Sequence, residues 1–249
     1  MRRGCLGSTA VAGLAVLAAL ALLRLAVPGS GVAALRHRFP AITAFIERAR
    51  VRGVAVDWRP VPMERISCEL AAAVLAGEDM AFFSHRGFDL HEVAEALRAA
   101  RRGRRLRGAS TVSQQLAKNL WLGPERSLVR KAREAVLTVL LERTLGKCRI
   151  LELYLDVAQF GPGVYGAEAA ARRYFGVSAA RLDAEQAAAL AAALPAPASR
   201  YPGAGSRAAR QAAARIAARV RRAAWLRRIV AGCGCAGGAA PCRGRPGGG

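Results

Sequence analysis

Acidic residues are scarce in this chain: 17 Asp and Glu stand against 39 Lys and Arg, a formal net charge of +22. So basic a balance points to an anionic partner, whether nucleic acid, an anionic membrane surface or a phosphorylated substrate. Aromatics are also few, at 6% of residues. Neither the interleaved aromatics nor the reading helix of a nucleic-acid binder is evident, so no nucleic-acid partner is expected. No CxxC pair occurs, and none of the three histidines is spaced to complete a zinc site, so no protein-bound metal site of that kind is expected. Period-two alternation is missing, which argues against a sheet-built domain. There is no internal repeat.

What the chain does hold is apolar content of 53%, dominated by alanine, which favours helices. From Ile66 onward the apolar spacing is helical almost throughout. It predicts helices over 66–78, 89–101, 111–120, 127–144, 147–158, 163–174, 183–194 and 207–230. Turn-rich breaks fall at "FGPGVYG" (160–166) and "LPAPASRYPG" (194–203). The opening segment carries Arg2 and Arg3, then runs uncharged from Leu6 to Leu23 and meets Arg24. A run of about 18 apolar residues suits a tilted transmembrane helix. The arginines before it favour a cytoplasmic N-terminus with the remainder exported, although Arg36 and Arg38 weaken that asymmetry. A cleaved signal peptide is the alternative, and the run is longer than the usual apolar core of one. The organisation expected is an anchor (1–35), a connecting segment (36–65), a mostly α-helical domain (66–205), a basic C-terminal helix (206–230) and a disordered Gly/Cys-rich tail (231–249). Of six cysteines, Cys68 and Cys148 are candidates for a disulfide in an exported protein, or simply small apolar residues. Cys233, Cys235 and Cys242 fall in the tail, where glycine content argues against fixed structure.

Three stretches carry chemistry. "GEDMAFFSHRGFD" (Gly77–Asp89) places Glu78 and Asp79 at the edge of an apolar run. Adjacent helical positions point about 100° apart, so one acid can serve chemistry while the other is held by local hydrogen bonds. Phe82 and Phe83 would dry the surroundings, and a desolvated carboxylate becomes a better proton acceptor. Alone, this stretch reads more readily as a solvated acid pair at a helix end, with Phe82 and His85 as ordinary core. "RGASTVSQQLAKNLWL" holds Ser110, Thr111, Ser113, Gln114, Gln115, Lys118 and Asn119. Thr111 and Gln114 match a capping box. Thr111, Gln115 and Lys118 share one face, offering a hydroxyl, an amide and an ammonium to a phosphate or a sugar. In "RKAREA", Arg130 and Glu134 are i, i+4 neighbours beside Lys131, either a surface pair or a buried charged site.

Together with "ILELYLDVAQFGPGVYGAEAAARRYFG" and "EQAAALAAALPAPASRYP", these blocks give the chain a resemblance. From about Trp58 to Tyr201 it resembles the monofunctional peptidoglycan glycosyltransferases of glycosyltransferase family 51. That module also forms the N-terminal half of bifunctional penicillin-binding proteins. The resemblance implies a lysozyme-like helical domain with a small membrane-proximal lobe, preceded by one transmembrane helix, on the periplasmic side of the inner membrane. It implies that Glu78 is the base that deprotonates the acceptor 4-hydroxyl of lipid II, with undecaprenyl pyrophosphate leaving the growing glycan. By the same resemblance Asp79 supports it, and Phe82 and His85 shape the cleft. Ser110, Thr111, Gln114, Gln115 and Asn119 belong to the donor-binding block. Lys118, Arg130 and Lys131 would receive the pyrophosphate charge. Glu134, the second essential glutamate, would organise those cations or help hold a divalent cation (Mg or Mn) there. Lipid II, the glycan product and the membrane are the implied partners, with other cell-wall synthases or division proteins as further candidates. No SxxK motif follows, so crosslinking is not expected.

The chain departs from the family's pattern at Ala109, at Ser113, at Asp156, where Asn is usual, and at Gln159. Arg98–Gly108 packs six arginines into what is, in the family, a mobile flap, where anionic headgroups and the substrate's pyrophosphate would be attracted. The basic C-terminal helix reads either as membrane-lying or as a soluble basic helix. Two other functions compete: a lytic enzyme of lysozyme-like fold, which needs no pyrophosphate site, and a non-enzymatic basic binding protein.

Overall fold

The computed structural model describes residues 29–103, 110–125 and 127–237. The apolar run from Leu6 to Leu23, and with it the expected anchor, lies outside the described residues. Among those described, no helix is long and apolar enough to cross a membrane.

The domain is built around one helix that is apolar on every side. In α3 (Cys68–Glu78), which follows α1 (Gly29–Ala34) and α2 (Ala44–Val51), every residue from Leu70 to Ala76 is buried. Such a helix cannot be stable at a surface and is enclosed by its neighbours. Ser67 caps its start, accepting from the Glu69 N–H and donating to the Leu182 carbonyl. Four α-helices precede the C-terminal part: α4 (Leu90–Arg101), α5 (Val112–Trp121), α6 (Leu128–Thr144) and α7 (Lys147–Val157). Then come α8 (Ala167–Phe175), α9 (Ala184–Ala193), α10 (Arg207–Arg222) and α11 (Ala224–Ala231). Helices α9, α10 and α11 pack on α3, while α5 packs on α6 and α7.

Three expectations are corrected. A small sheet exists: β1 (Asp57–Trp58), β2 (Gln159–Gly161) and β3 (Val164–Tyr165), in the order β1-β3-β2, with β1 parallel and β2 antiparallel to β3. Strands of two or three residues are too short to show alternation, and the helix expected from 163 begins only at Ala167. Gly166 makes that turn at φ +82°, where a side chain would meet the Asp156 carbonyl at 2.6 Å. The helix expected over 207–230 breaks at Ala223. Its buried spacing of Ile216, Val220, Ala223, Leu226 and Val230 continues through the break, so periodicity gives no sign of it. This face is spent on the core; Arg207, Arg210, Arg215, Arg221, Arg222 and Arg228 point outward.

The third correction concerns the tail. Cys68 and Cys148 do not pair with each other. Cys68 bonds Cys235 and Cys148 bonds Cys233, with Cα separations of 5.1 and 5.2 Å. Main-chain bonds from Cys68 N to Ala236 O and from Ala236 N to Ile66 O add a short bridge. Residues 231–237 are therefore a strap across the starts of α3 and α7, not a loose end. Glycine supplies turns here, at Gly234 and Gly237, both with positive φ. Cys242 and the rest of the tail lie outside the described residues.

Asp156, one of the departures from the family's pattern, is fully buried. Its Oδ1 accepts from Val61 N–H at 3.0 Å, while Oδ2 is buried without a hydrogen-bond partner among the described residues. Burial, the largest cause, pushes its pKa from an ordinary 3.8 up to about 8, so it holds a proton at neutral pH. Below pH 3.8 both folded and unfolded chains carry that proton. Between there and about 8 only the folded chain does, so stability declines with rising pH and levels off above about 8. At ~1.4 kcal/mol per pH unit, this side chain alone removes about 4 kcal/mol between pH 5 and pH 8. An Asp156→Asn variant, which cannot titrate, should lose that part of the slope in urea melts at the two pH values. Parallel slopes for wild type and variant would refute the buried proton.

Candidate active site

Helix α3 ends at Glu78, and Asp79 takes a non-helical conformation (φ −161°, ψ 76°). The two adjacent acids are thereby given different surroundings. Asp79 is tied down: its carboxylate accepts from the Val112 N–H at 2.9 Å and from His85 Nε2 at 3.0 and 3.1 Å. Val112 is the first residue of α5, so Asp79 places a carboxylate at that helix's positive end. His85 Nδ1 accepts from the Gly87 N–H at 3.1 Å, which leaves Nε2 carrying the proton it donates to Asp79. Gly87 itself sits at φ +93°, and a Cβ there would meet Thr138 Cγ2 at 2.8 Å. The loop after Glu78 is thus pressed onto α6 and stapled to α5 by Asp79. Thr111 adds a second staple, donating from its hydroxyl to the Gly87 carbonyl at 2.7 Å.

Glu78, by contrast, opens onto a cleft of about 370 Å³ lined also by Asp79, Asp89, Glu92, Ser110, Thr111 and Arg219. One oxygen accepts from Gln115 Nε2 at 2.7 Å. Burial raises the Glu78 pKa above its ordinary 4.5, and the Asp79 charge adds to that; Gln115 and Lys118 oppose it. The outcome is a carboxyl whose proton affinity exceeds that of a surface glutamate.

Lys118 does not line that cleft. It lies with Arg130, Lys131 and Glu134, and with its Nζ 5.8 Å from the centre of the Phe45 ring. Burial lowers its pKa below 10.5, the Arg130 and Lys131 charges push the same way, and Glu134 and Glu78 hold it up. Glu134, only 2% exposed, accepts from Arg130 Nη1 at 2.6 Å and from Lys131 Nζ. These cations therefore converge on a buried carboxylate, and the surface-pair reading of Arg130 and Glu134 is set aside. The donor set does not suit a divalent metal. Glu134 is the one carboxylate in this group, both its oxygens are taken by cations, and no group of three metal-ligating side chains occurs among the described residues.

Of the residues singled out in the sequence, Glu78, Asp79, Ser110 and Thr111 meet at the cleft, while Lys118, Arg130, Lys131 and Glu134 form the adjoining cationic group. Several expected to touch substrate act instead from behind the wall. Phe82 has no accessible surface; Gln114 and Asn119 are buried; His85 faces Asp79. Thr111 and Gln114 complete the capping box of α5, so their polarity is consumed in starting the helix. The shared face of Thr111, Gln115 and Lys118 does not present three free groups, because Thr111 and Gln115 are bonded within the protein. Two contributors were missed. Arg219 reaches the cleft from α10 and donates to the Ala76 carbonyl at 3.1 Å. Tyr154, on α7, donates to Gln115 Oε1 at 2.9 Å. Neither carries a signal in the sequence: Arg219 is one of many arginines and Tyr154 one polar group in an apolar helix. The Arg98–Gly108 run lies partly outside the described residues.

A family model described as Transglycosylase matches residues 47–221. The biosynthetic peptidoglycan transglycosylase of Caulobacter vibrioides is 48% identical over 180 residues, covering 72% of this chain and 79% of that protein. Proteins of the same name from Aeromonas hydrophila and Shewanella oneidensis are 53% and 49% identical over 154 residues. Those two alignments cover 62% of this chain and 65% of each relative.

Proposed function

This chain belongs to the transglycosylase family, and from that premise we propose that it is a peptidoglycan glycosyltransferase of cell-wall synthesis that polymerises lipid II. The observation that carries the reading is the pairing of a burial-raised carboxyl at a cleft, Glu78, with Lys118, which is close enough to shift its ionisation and is itself grouped with Arg130 and Lys131 around the buried Glu134. Glu78 takes the proton of the acceptor sugar's 4-hydroxyl, and that oxygen attacks the donor's anomeric carbon. The bond from that carbon to the pyrophosphate oxygen breaks in the same displacement, which inverts the centre to a β-1,4 link. The departing undecaprenyl pyrophosphate carries away the electron pair, and Lys118, Arg130 and Lys131 stabilise its growing negative charge. Asp79 holds the loop that aims Glu78. No step is routed through a metal.

Placement outside the cytoplasm is part of the proposal. Two disulfides close loops of 167 and 85 residues, and such bonds persist in oxidising compartments. With the apolar run at Leu6–Leu23, this supports a single-pass inner-membrane protein with a periplasmic catalytic domain. The competing lytic reading requires no site for a diphosphate, and the cationic group counts against it. Purified full-length protein given lipid II in detergent should yield polymeric glycan. Cleavage of preformed glycan, with no polymer from lipid II, would overturn the assignment.

A further inference from the structure

Gln115 stands between Glu78 and a residue that no part of the reaction yet uses. Its Nε2 donates to Glu78 Oε2 at 2.7 Å, and its Oε1 accepts from the Tyr154 phenol at 2.9 Å. An amide has one donor end and one acceptor end, so what fixes one end decides which end the other partner meets. Were the amide reversed, Oε1 would face the Glu78 carboxylate, acceptor against acceptor, and the base would lose its only side-chain hydrogen-bond donor among the described residues.

We propose that Tyr154 is a positioning residue for the base: through Gln115 it sets the amide so that an N–H is always presented to Glu78. Tyr154 is 1% exposed on the buried face of α7, between Leu153 and Leu155, and in the apolar core its phenol has Gln115 as its side-chain partner. Burial, with the Glu78 and Asp79 charges, raises its pKa well above 10. The phenol therefore keeps its proton at every working pH and acts as a donor toward Oε1. Reversing the amide would leave the phenol O–H without the acceptor it has in Oε1 and set Oε1 against the acceptor-only Glu78 carboxylate, so both partners favour the one orientation. The chain Tyr154–Gln115–Glu78 links α7, α5 and α3, so the base is held from two helices that carry no substrate contact of their own through these residues.

The inference rests on Glu78 acting as the base, and its test separates the two. In full-length protein carrying ¹³C-labelled glutamate carboxyls, Glu78 is assigned by its loss in Glu78→Gln. In Tyr154→Phe the Glu78 titration should move to higher pH, because the charged form has lost its fixed donor. Polymerisation should show the same upward move of its acid limb, with kcat down about tenfold and KM nearly unchanged. In a Gln115→Leu background, Tyr154→Phe should move neither the titration nor the limb further. An unmoved Glu78 titration in Tyr154→Phe, or an equal shift with Gln115 already removed, would overturn the proposal. A Glu78 titration that moves in Tyr154→Phe, together with a wild type that makes no polymer, would instead sink the functional assignment and leave the positioning role standing.

Discussion

A Glu78→Gln protein should polymerise lipid II about a thousandfold more slowly than wild type, the scale lost with a general base. The substitution keeps shape and keeps an oxygen for Gln115 Nε2 to donate to, so the bond at 2.7 Å and the melting temperature should survive. What it removes is the ability to accept a proton. The wild-type rate should rise with pH as Glu78 ionises, at pH values above the 4.5 of an ordinary glutamate, since burial outweighs the help from Gln115 and Lys118. That acid limb should vanish from the residual rate of the variant. Loss of activity with an unchanged acid limb would mean that another group accepts the proton. Asp79→Asn offers the contrast: it weakens a carboxylate accepting from Val112 N–H and His85, so it should cost folding stability as well as rate.

How much of this was open to reading in the sequence differs by element. Helices α3 to α7 and α9 were legible because their apolar residues run for ten positions or more, and Ser67, Asp89, Thr111, Ser127 and Asp183 mark the starts of all of them but α7. The sheet was not, since its strands hold two or three residues and β2 turns into β3 through the positive-φ Gly163. The pairing of Cys68 with Cys235 and of Cys148 with Cys233 depends on where α11 turns back, which no local pattern encodes. Within the site, residue types were legible but not their division of labour. Asp79 and Glu78 are equal in sequence; the difference lies in Val112, His85 and Gln115, each brought in from elsewhere in the chain. Arg219 arrives from a helix 143 residues away from the Ala76 carbonyl it binds, and a basic helix gave no reason to choose it.

Glu134 has almost no surface, yet Glu134→Gln should lower kcat about a hundredfold, comparable to removing one donor to a developing anion. The effect runs through the cations. Glu134 is the largest influence holding up the Lys118 pKa, against burial and the neighbouring Arg130 and Lys131 charges that depress it. Neutralising it leaves three cations crowded around an amide, so Lys118 should release its proton at lower pH and Arg130 and Lys131 should splay. In the proposed mechanism Lys118 stabilises the leaving pyrophosphate only while protonated, so the alkaline limb of the rate profile should move toward neutral pH in the variant. The acid limb, set by Glu78, should stay where it is. Lys131→Met should cost less than Glu134→Gln, because 46% of the Lys131 side chain is exposed and its charge is screened by water. An alkaline limb that does not move in Glu134→Gln would show that this carboxylate organises structure alone, and the cations would then owe their charge state to something other than the buried acid between them.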